Sequence, residues 1–431
     1  MCESYLGADI FRAGIQLYQT AYKNKNAAGA DLWSKLSAAS DQPVGDLMQS
    51  WITQSGFPLV TVTQRQKGDQ VELHLSQRRF FANAQHMGEA NPQRWMIPMV
   101  IRYDLGQGSR EHRARLDGDT AVITLPGTGR AKWVYPNADA TGFFRLHLDN
   151  ASLAALLKGG LGALTPAERM SLLSDQWALV RCGLAHIESF MEVLRAFAGE
   201  QDHAVLRTLT ARLEFLQSYL VAPEDTGALA ALARVLLGRQ LDALGWEPAA
   251  DEPQTRAVQR ALVIDALGEV GRDADVLAQA ARWVDREMED PRSVDPNLAG
   301  VLIALAALDG DAKRLERYVT TYTNRKTARM APELQARYLN ALSAFERPEI
   351  AKRVLDLCLD GTVPQEQLRV VLSSMLSRRA NSERTWEFLK KHWKALAPRV
   401  GAMGLSRLVE STGSLPYARR DDVADFFTKN P

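Results

Sequence analysis

Between Trp51 and Val62 the side-chain period of this chain changes, and no single regular element spans such a change. Before it, apolar residues recur at helical spacing. From Leu59 the side chains alternate, with Leu59, Thr61 and Thr63 on one side and Val60 and Val62 on the other. Ser55-Gly56 is a turn signal, and Pro58 cannot continue a helix because it lacks the amide donor. The stretch Trp51–Val62 is therefore a change of element and a domain boundary.

Upstream, residues 8–22 pattern as one amphipathic helix, with Ile10, Phe11, Ile15 and Tyr18 on one face. Asp31 caps a second helix over 31–39 that turns Leu32, Trp33 and Leu36 inward, and Pro43 restarts a third that ends near Trp51. Three short helices bury too little surface to stand alone, so residues 1–57 need a partner. The opening Met1-Cys-Glu-Ser-Tyr-Leu-Gly7 lacks the basic and then apolar pattern of a signal peptide and is expected to continue a larger architecture.

Residues 58–149 read as short strands: 59–65, 70–79, 95–103, 120–125, 132–135 and 142–148. Turns at Gly68-Asp69, Gly106–Gly108, Asp117-Gly118 and Pro126-Gly127 separate them, which predicts a small antiparallel β-sandwich. Residues 150–431 are helical almost without a break. Thr165-Pro166-Ala167-Glu168 is a capping box with proline at the first helical position. Fifteen helices are expected, among them 166–184, 186–198, 203–221, 252–270, 330–345 and 381–397. Short loops make successive helices antiparallel neighbours, and the absence of a strict tetratricopeptide or ankyrin repeat points to an irregular α-solenoid of HEAT or armadillo type. The expected class is multidomain α+β, mostly α.

The chemistry begins with what is excluded. The 431 residues carry 52 basic and 51 acidic side chains, a net charge of +1, which argues against nucleic acid as a partner. Three scattered cysteines, Cys2, Cys182 and Cys358, form no C-x-x-C pair; reduced thiols in a cytoplasmic setting are expected. No apolar run reaches membrane-spanning length, so no membrane partner is expected. None of the seven histidines is followed by another four residues later, and there is no phosphate loop or nucleophile elbow. His74, His112 and His147 fall on or beside strands and read as hydrogen-bonded or surface histidines, because a metal needs a full ligand set. Cys182 and His186 stand at i, i+4; one continuous helix would bring thiol and imidazole together, but nothing nearby orients the ring, and core packing is the preferred reading. Five tryptophans from Trp177 to Trp393 read as core. Arg378-Arg379 and Arg419-Arg420-Asp421-Asp422 read as solvated helix ends and caps. From the residues alone no active site emerges.

A set of motifs, in order, resembles the C-terminal half of zinc aminopeptidases of the aminopeptidase N type. Met1–Gly7 with Phe11-Arg-Ala-Gly-Ile15 resembles the helix after the family's catalytic tyrosine. Asp31-Leu-Trp33 and Pro43-Val44 resemble the next two helices. Trp51-x-x-Gln54-x-Gly56-Phe57-Pro58-x-Val60 resembles the family hallmark, with Ile52 where threonine is usual. Further matches are Gln77-x-Arg79-Phe80, Trp95-x-Ile97-Pro98, Asn137 with Gly142-Phe-Phe-Arg-Leu146, Glu168-Arg-x-x-Leu172-Leu173-x-Asp175, Leu244-Gly-Trp246, Trp386-Glu-Phe388 through Trp393, and Val423-x-x-Phe426-Phe427.

The resemblance implies that residues 1–57 are the last helices of a thermolysin-like catalytic domain, 58–149 a β-sandwich and 150–431 a helical domain that encloses the active site. It also implies that the zinc motif, the amine-binding loop and the catalytic tyrosine of the family have no counterpart in this sequence. No catalytic or metal residue is assigned here, and no cofactor is expected in this chain, zinc being that of full-length relatives. In the family, basic residues of the helical domain meet the distal part of a peptide; Arg337 is the candidate, against the plainer reading of a helix-pairing or solvated arginine. The implied partners are a peptide substrate or an N-terminal catalytic half. The competing reading is a stand-alone scaffold that binds a protein or peptide.

Overall fold

The structure, a computed structural model, describes residues 1–249, 251–324 and 332–430. Contacts divide the chain into two compact units, Met1–Phe197 and Ala198–Pro431.

The first unit opens with four helices: α1 (Cys2–Leu6), α2 (Ala8–Tyr22), α3 (Gly29–Ser40) and α4 (Val44–Ile52). Leu6, Leu36 and Val44 form their small core, with Phe11, Leu32 and Trp33 packed against it. Helix α2 approaches α3 closely at Gly14, where an added Cβ would stand 2.7 Å from a Leu36 methyl. Gly14 is the buried residue of α2. Phe11, Ile15 and Tyr18 are half-buried, but Ile10, expected on the same inner face, is exposed, and so is Leu17. Asp31 is not the N-cap of α3; it lies in the first turn and accepts from the Ala28 amide at 2.8 Å and the Tyr22 hydroxyl at 2.8 Å.

The residues after α4 fasten it to the sandwich. Trp51 Nε1 donates to the Met96 carbonyl at 2.9 Å. Gln54 donates to the Arg94 carbonyl at 2.6 Å and accepts from the Arg94 amide at 3.1 Å. Gly56 has φ 89°, and a Cβ there would meet Arg79 Nε at 2.7 Å, so both conformation and space call for glycine. Phe57 then packs between Phe80 and Phe143, with ring centroids 5.4 and 5.3 Å away.

Two sheets follow. The first has the order β5 (Thr120–Thr124), β2 (Gln70–Arg79), β1 (Pro58–Lys67), β7 (Arg145–Leu148); the second has β4 (Ser109–Leu116), β3 (Ile97–Asp104), β6 (Trp133–Tyr135). Every pair is antiparallel except β1–β7, which is parallel. Strand β4 was not expected. Its sequence, Ser-Arg-Glu-His-Arg-Ala-Arg-Leu, buries only Leu116 and pairs with β3 at the sheet edge, so it carries little apolar alternation. Two short helices, α5 (Ala84–Met87) after β2 and α6 (Asn150–Ala155) after β7, flank the later strands; the capping box at Thr165 does open α7 (Pro166–Arg181), and α8 (Ile187–Ala196) completes the unit.

Helix α7 is bound to the sandwich by two buried carboxylates seven residues apart. Glu168 accepts from Thr165 N at 2.6 Å, Arg102 Nη1 of β3 at 2.8 Å and Asp139 N at 2.8 Å. Asp175 accepts from Arg145 Nη1 of β7 at 3.0 Å and Leu146 N at 3.3 Å. Between them Leu172 and Leu173 are buried, and Ala178 and Leu179 pack on Leu59 and Phe80.

The second unit is helical: α9 (His203–Phe215), α10 (Thr226–Leu244), α11 (Gln254–Glu269), α12 (Ala274–Glu289), α13 (Pro296–Leu308), α14 (Ala312–Thr323), α15 (Pro332–Ala341), α16 (Pro348–Asp360), α17 (Gln365–Ser377), α18 (Arg379–Val400), α19 (Ala402–Ser411) and α20 (Arg420–Lys429). The helix expected over 330–345 has its first two residues outside the described residues; α15 and a 3-10 turn at Leu342–Ala344 cover the rest. The helix expected over 203–221 changes to a π-turn at Leu216–Leu220. Pairs such as α10–α11, α12–α13 and α17–α18 pack in chain order.

Two outcomes follow for the α7 clamp. Arg102→Met leaves the fully buried Glu168 carboxylate without its countercharge, with only the Thr165 and Asp139 amides as donors, and is expected to cost about 3–5 kcal/mol in urea unfolding, and adding Glu168→Gln should return more than half of that loss. An additive double mutant would show that the pair carries no clamp. Burial pushes the Asp175 carboxyl up to about 6 despite Arg145. The folded state therefore keeps a proton that the unfolded chain releases near about pH 4, and this contribution is lost as pH rises through about 6. Asp175→Asn should flatten the stability profile between those values, measured as unfolding midpoints; an unchanged slope would contradict it.

Candidate functional site

In the second unit, residues far apart in sequence line a cleft of about 870 Å³. Its walls come from the end of α9 and the π-turn, from α10 and α11, and from the junction of α17 and α18. The cleft is within the size range of small-molecule sites.

An ion-pair belt crosses it. Arg378 sits between α17 and α18 with extended backbone, φ −86° and ψ 113°. Its guanidinium meets Glu269 of α11 through two bonds of 2.8 Å and Glu346 at 3.0 Å. Burial works against the Arg378 charge, and the carboxylates of Glu269 and Glu346 outweigh it, so the group stays firmly protonated. Arg272 adds a second bond to Glu346 at 2.8 Å. Arg272 has φ 44°, a left-handed conformation unusual for a long side chain, and follows Gly271, where a Cβ would stand 2.5 Å from the Leu267 carbonyl. The chain is thus turned sharply after α11 in a way that aims Arg272 across the cleft. Arg379 donates to the carbonyls of Gln217 and Val221, fastening α18 to the π-turn.

Beside the belt stand Asp265 and Glu214. Asp265 is half-buried, and burial, then the charges of Glu269 and Glu214, push its carboxyl up to about 7 against the pull of Arg378. Loss of solvent and the charge of Glu269 hold Glu214 above the usual carboxylate range. Serines also line the cleft, but no histidine does among the described residues, so a serine nucleophile has no base beside it. The arrangement is suited to binding charge rather than to bond cleavage.

The expected site residue lies elsewhere. Arg337 is half-buried on α15, and its Nη2 donates to the Pro296 carbonyl at the start of α13, 3.2 Å away. Its charge acts on Glu287, a carboxylate that burial raises and the Tyr338 hydroxyl partly stabilises. This places Arg337 in helix pairing, outside the cleft lining. Cys182 and His186 are separated: α7 ends at Arg181, Gly183 turns the chain with φ 75°, and a new helix starts after His186. Cys182 is buried in the Leu59–Phe80 cluster while His186 is exposed, so the continuous helix that would join them does not exist. His74 and His147 belong to one sheet and His112 to the other. Among the described residues there is no group of three His, Cys, Asp or Glu that could hold a metal ion. No helix among them is long and apolar enough to cross a membrane.

The reading of Arg378-Arg379 as solvated helix ends holds for Arg379, exposed at the start of α18, and is corrected for Arg378, the centre of the belt, with 21% of its side chain exposed. A signal was present in Val263-Ile-Asp265-Ala-Leu-Gly-Glu269, where two acids one turn apart interrupt an apolar run. Nothing in the local pattern names their partner, because Arg378 lies 109 residues downstream of Glu269.

Residues 133–431 match the family described as ERAP1-like C-terminal domain, and residues 1–51 match the Peptidase family M1 domain. Aminopeptidase M1-A of Oryza sativa subsp. japonica is 26% identical over 438 residues, covering 99% of this chain and 48% of the relative. The puromycin-sensitive aminopeptidase of Caenorhabditis elegans is 24% identical over 93% of this chain and 42% of its own length. Tricorn protease-interacting factor F2 of Thermoplasma volcanium is 25% identical over 97% and 48%. The chain spans about half the length of the curated relatives it matches. The M1 match ends at Trp51, where the side-chain period changes, and the chain belongs to the ERAP1-like C-terminal domain family.

Proposed function

We propose that this chain is the C-terminal, substrate-enclosing portion of a zinc-dependent aminopeptidase that removes residues from peptide N-termini, and that it is catalytically inactive by itself. The observation that carries the reading is the ordered match of nearly the whole chain to about half of each aminopeptidase, with only α1–α4 falling in the M1 domain. The sequence holds no H-E-x-x-H segment, so metal binding and the hydrolytic step belong to a catalytic half. The helical unit contributes enclosure of the peptide and support for closure over it. Arg337 is retained as a contact to the distal peptide only as part of this proposal. Buried, free Cys182 and Cys358 fit a cytoplasmic location.

The partner surface follows from α2 and α4. Ile10, Leu17 and Ile52 are 41%, 47% and 63% exposed on short helices that bury little. Exposed apolar side chains on such helices favour a covering surface, and the catalytic half of the enzyme is the cover we propose. This favours the aminopeptidase reading over a stand-alone scaffold.

The purified chain should release no product from leucine para-nitroanilide, with or without added zinc. It should associate with a separately expressed M1 catalytic half from the same source, and Ile10→Asp with Leu17→Asp should weaken that association about tenfold or more. Chelator-sensitive hydrolysis by the chain alone would overturn the inactivity, and absence of association would overturn the partner.

A further inference from the structure

The edge of a sheet presents amides and carbonyls without ladder partners, and the two sheets of the sandwich end in β4, β5, β6 and β7. All but one of these edges are guarded. β4 carries Arg110, Glu111, Arg113 and Arg115. β6 is buried throughout, and α7 covers β7, whose Leu146 amide donates to Asp175. β5, Thr120-Ala-Val-Ile-Thr124, has no charged residue, consists largely of β-branched side chains and exposes Thr120, Val122 and Thr124, with Val122 56% exposed. Its ladder to β2 uses the odd positions: the Asp119 carbonyl accepts from the Gln77 amide, the Leu125 amide donates to the Val71 carbonyl, and between them Ala121 and Ile123 face Leu75 and Leu73. In an antiparallel strand the amide and carbonyl of one residue point to the same side, so those of Thr120, Val122 and Thr124 point away from β2. Among the described residues no strand or other backbone group pairs with them.

We propose that β5 pairs with β5 of a second copy of this chain, antiparallel and with Val122 opposite its twofold-related mate, so that the two β5-edged sheets become one. The strand is self-complementary in that register, as an isologous contact requires: Thr120 of one copy faces Thr124 of the other, and Ala121 faces Ile123. The residues whose amides and carbonyls are free then oppose one another, and each facing pair exchanges two hydrogen bonds. Val122 meets Val122 on the outer face beside His74 of β2, with the threonine pairs on either side. A slip of one residue would set the free amides against positions already bonded to β2. Charge is compatible with the twofold: the strand brings none, and the acids that precede it, Asp117 and Asp119, are paired with Arg115 and Arg94 of their own chain. One five-residue ladder buries less than the roughly 1,200 Å² of a stable interface, so the dimer is weak. The pairing does not depend on the aminopeptidase reading.

Sedimentation velocity of the full chain between about 1 and about 300 µM tests the pairing, and reversible dimerisation with a Kd on the order of 100 µM is expected. Val122→Pro removes the amide at the axis without touching the β2 ladder, and Val122→Lys sets like charges face to face; each should weaken dimerisation about tenfold or more. Ile10→Asp with Leu17→Asp should leave it unchanged, which separates this dimer from contacts of the exposed helices. In a Cys2→Ser background, Val122→Cys should give a disulfide-linked dimer in a glutathione redox buffer, because the facing Cα atoms of such a pair stand about 5.5 Å apart, within disulfide reach. Val235→Cys, equally exposed but on α10, should not. Thermal melts confirm folding of each variant. A chain that stays monomeric up to about 300 µM, fails to cross-link through Val122→Cys, or dimerises equally as folded Val122→Pro and Val122→Lys proteins overturns the proposal.

Discussion

The first unit depends on two carboxylates that α7 carries into its interface with the sandwich. Glu168 and Asp175 are 0% and 1% exposed, and each is met by an arginine from a different sheet. A carboxylate in that position is tolerable only when donors surround it, so the positions of β3, β7 and the Asp139 turn are tied to the helix. Glu168 has two tasks: it closes the capping box with Thr165 and receives Arg102 and the Asp139 amide. The same residue thereby sets where α7 starts and how it sits against the strands. Apolar contacts of Ala178 and Leu179 with Leu59 and Phe80 supply area, and the carboxylates supply register.

The second unit uses the same physics differently. There the carboxylates are on α11, and the arginine that answers Glu269 arrives from a helix junction more than a hundred residues later. The belt satisfies Glu269 and Glu346 and leaves Asp265 and Glu214 without donors. In α7 every buried acid has its donors within the unit, which is the pattern of a structural joint. In the cleft Asp265 is half-buried and Glu214 exposed, so these two acids stand outside the belt without the donors that a fully buried carboxylate requires.

Much of the fold was legible in the chain because its signals are local. Residues 8–22 and 70–79 became α2 and β2 with the expected limits, and the Thr165 box opened a helix where it was read. Local signals failed where an element is held by its neighbour instead of by its own pattern. Strand β4 is charged along its length and exists because β3 offers it a ladder. The π-turn at 216–220 looks helical in sequence, and Arg379 from α18 caps its freed carbonyls. Cys182 and His186 have helical spacing, yet Gly183 ends the helix between them.

The boundary at Trp51–Val62 shows the same division. Sequence determined that a helix ends and a strand begins there, since proline, glycine and a period of two allow nothing else. It also carried the ordered motifs by which the family is identified. Only tertiary structure decided why those motifs are built as they are: Trp51 and Gln54 hold the segment entering β3, Gly56 admits Arg79, and Phe57 joins Phe80 to Phe143. It likewise decided that Arg378 spans a cleft while Arg337 braces two helices. Turn chemistry and periodicity act over a few residues and can be read from the chain, whereas the partner of a buried charge is chosen by the whole fold.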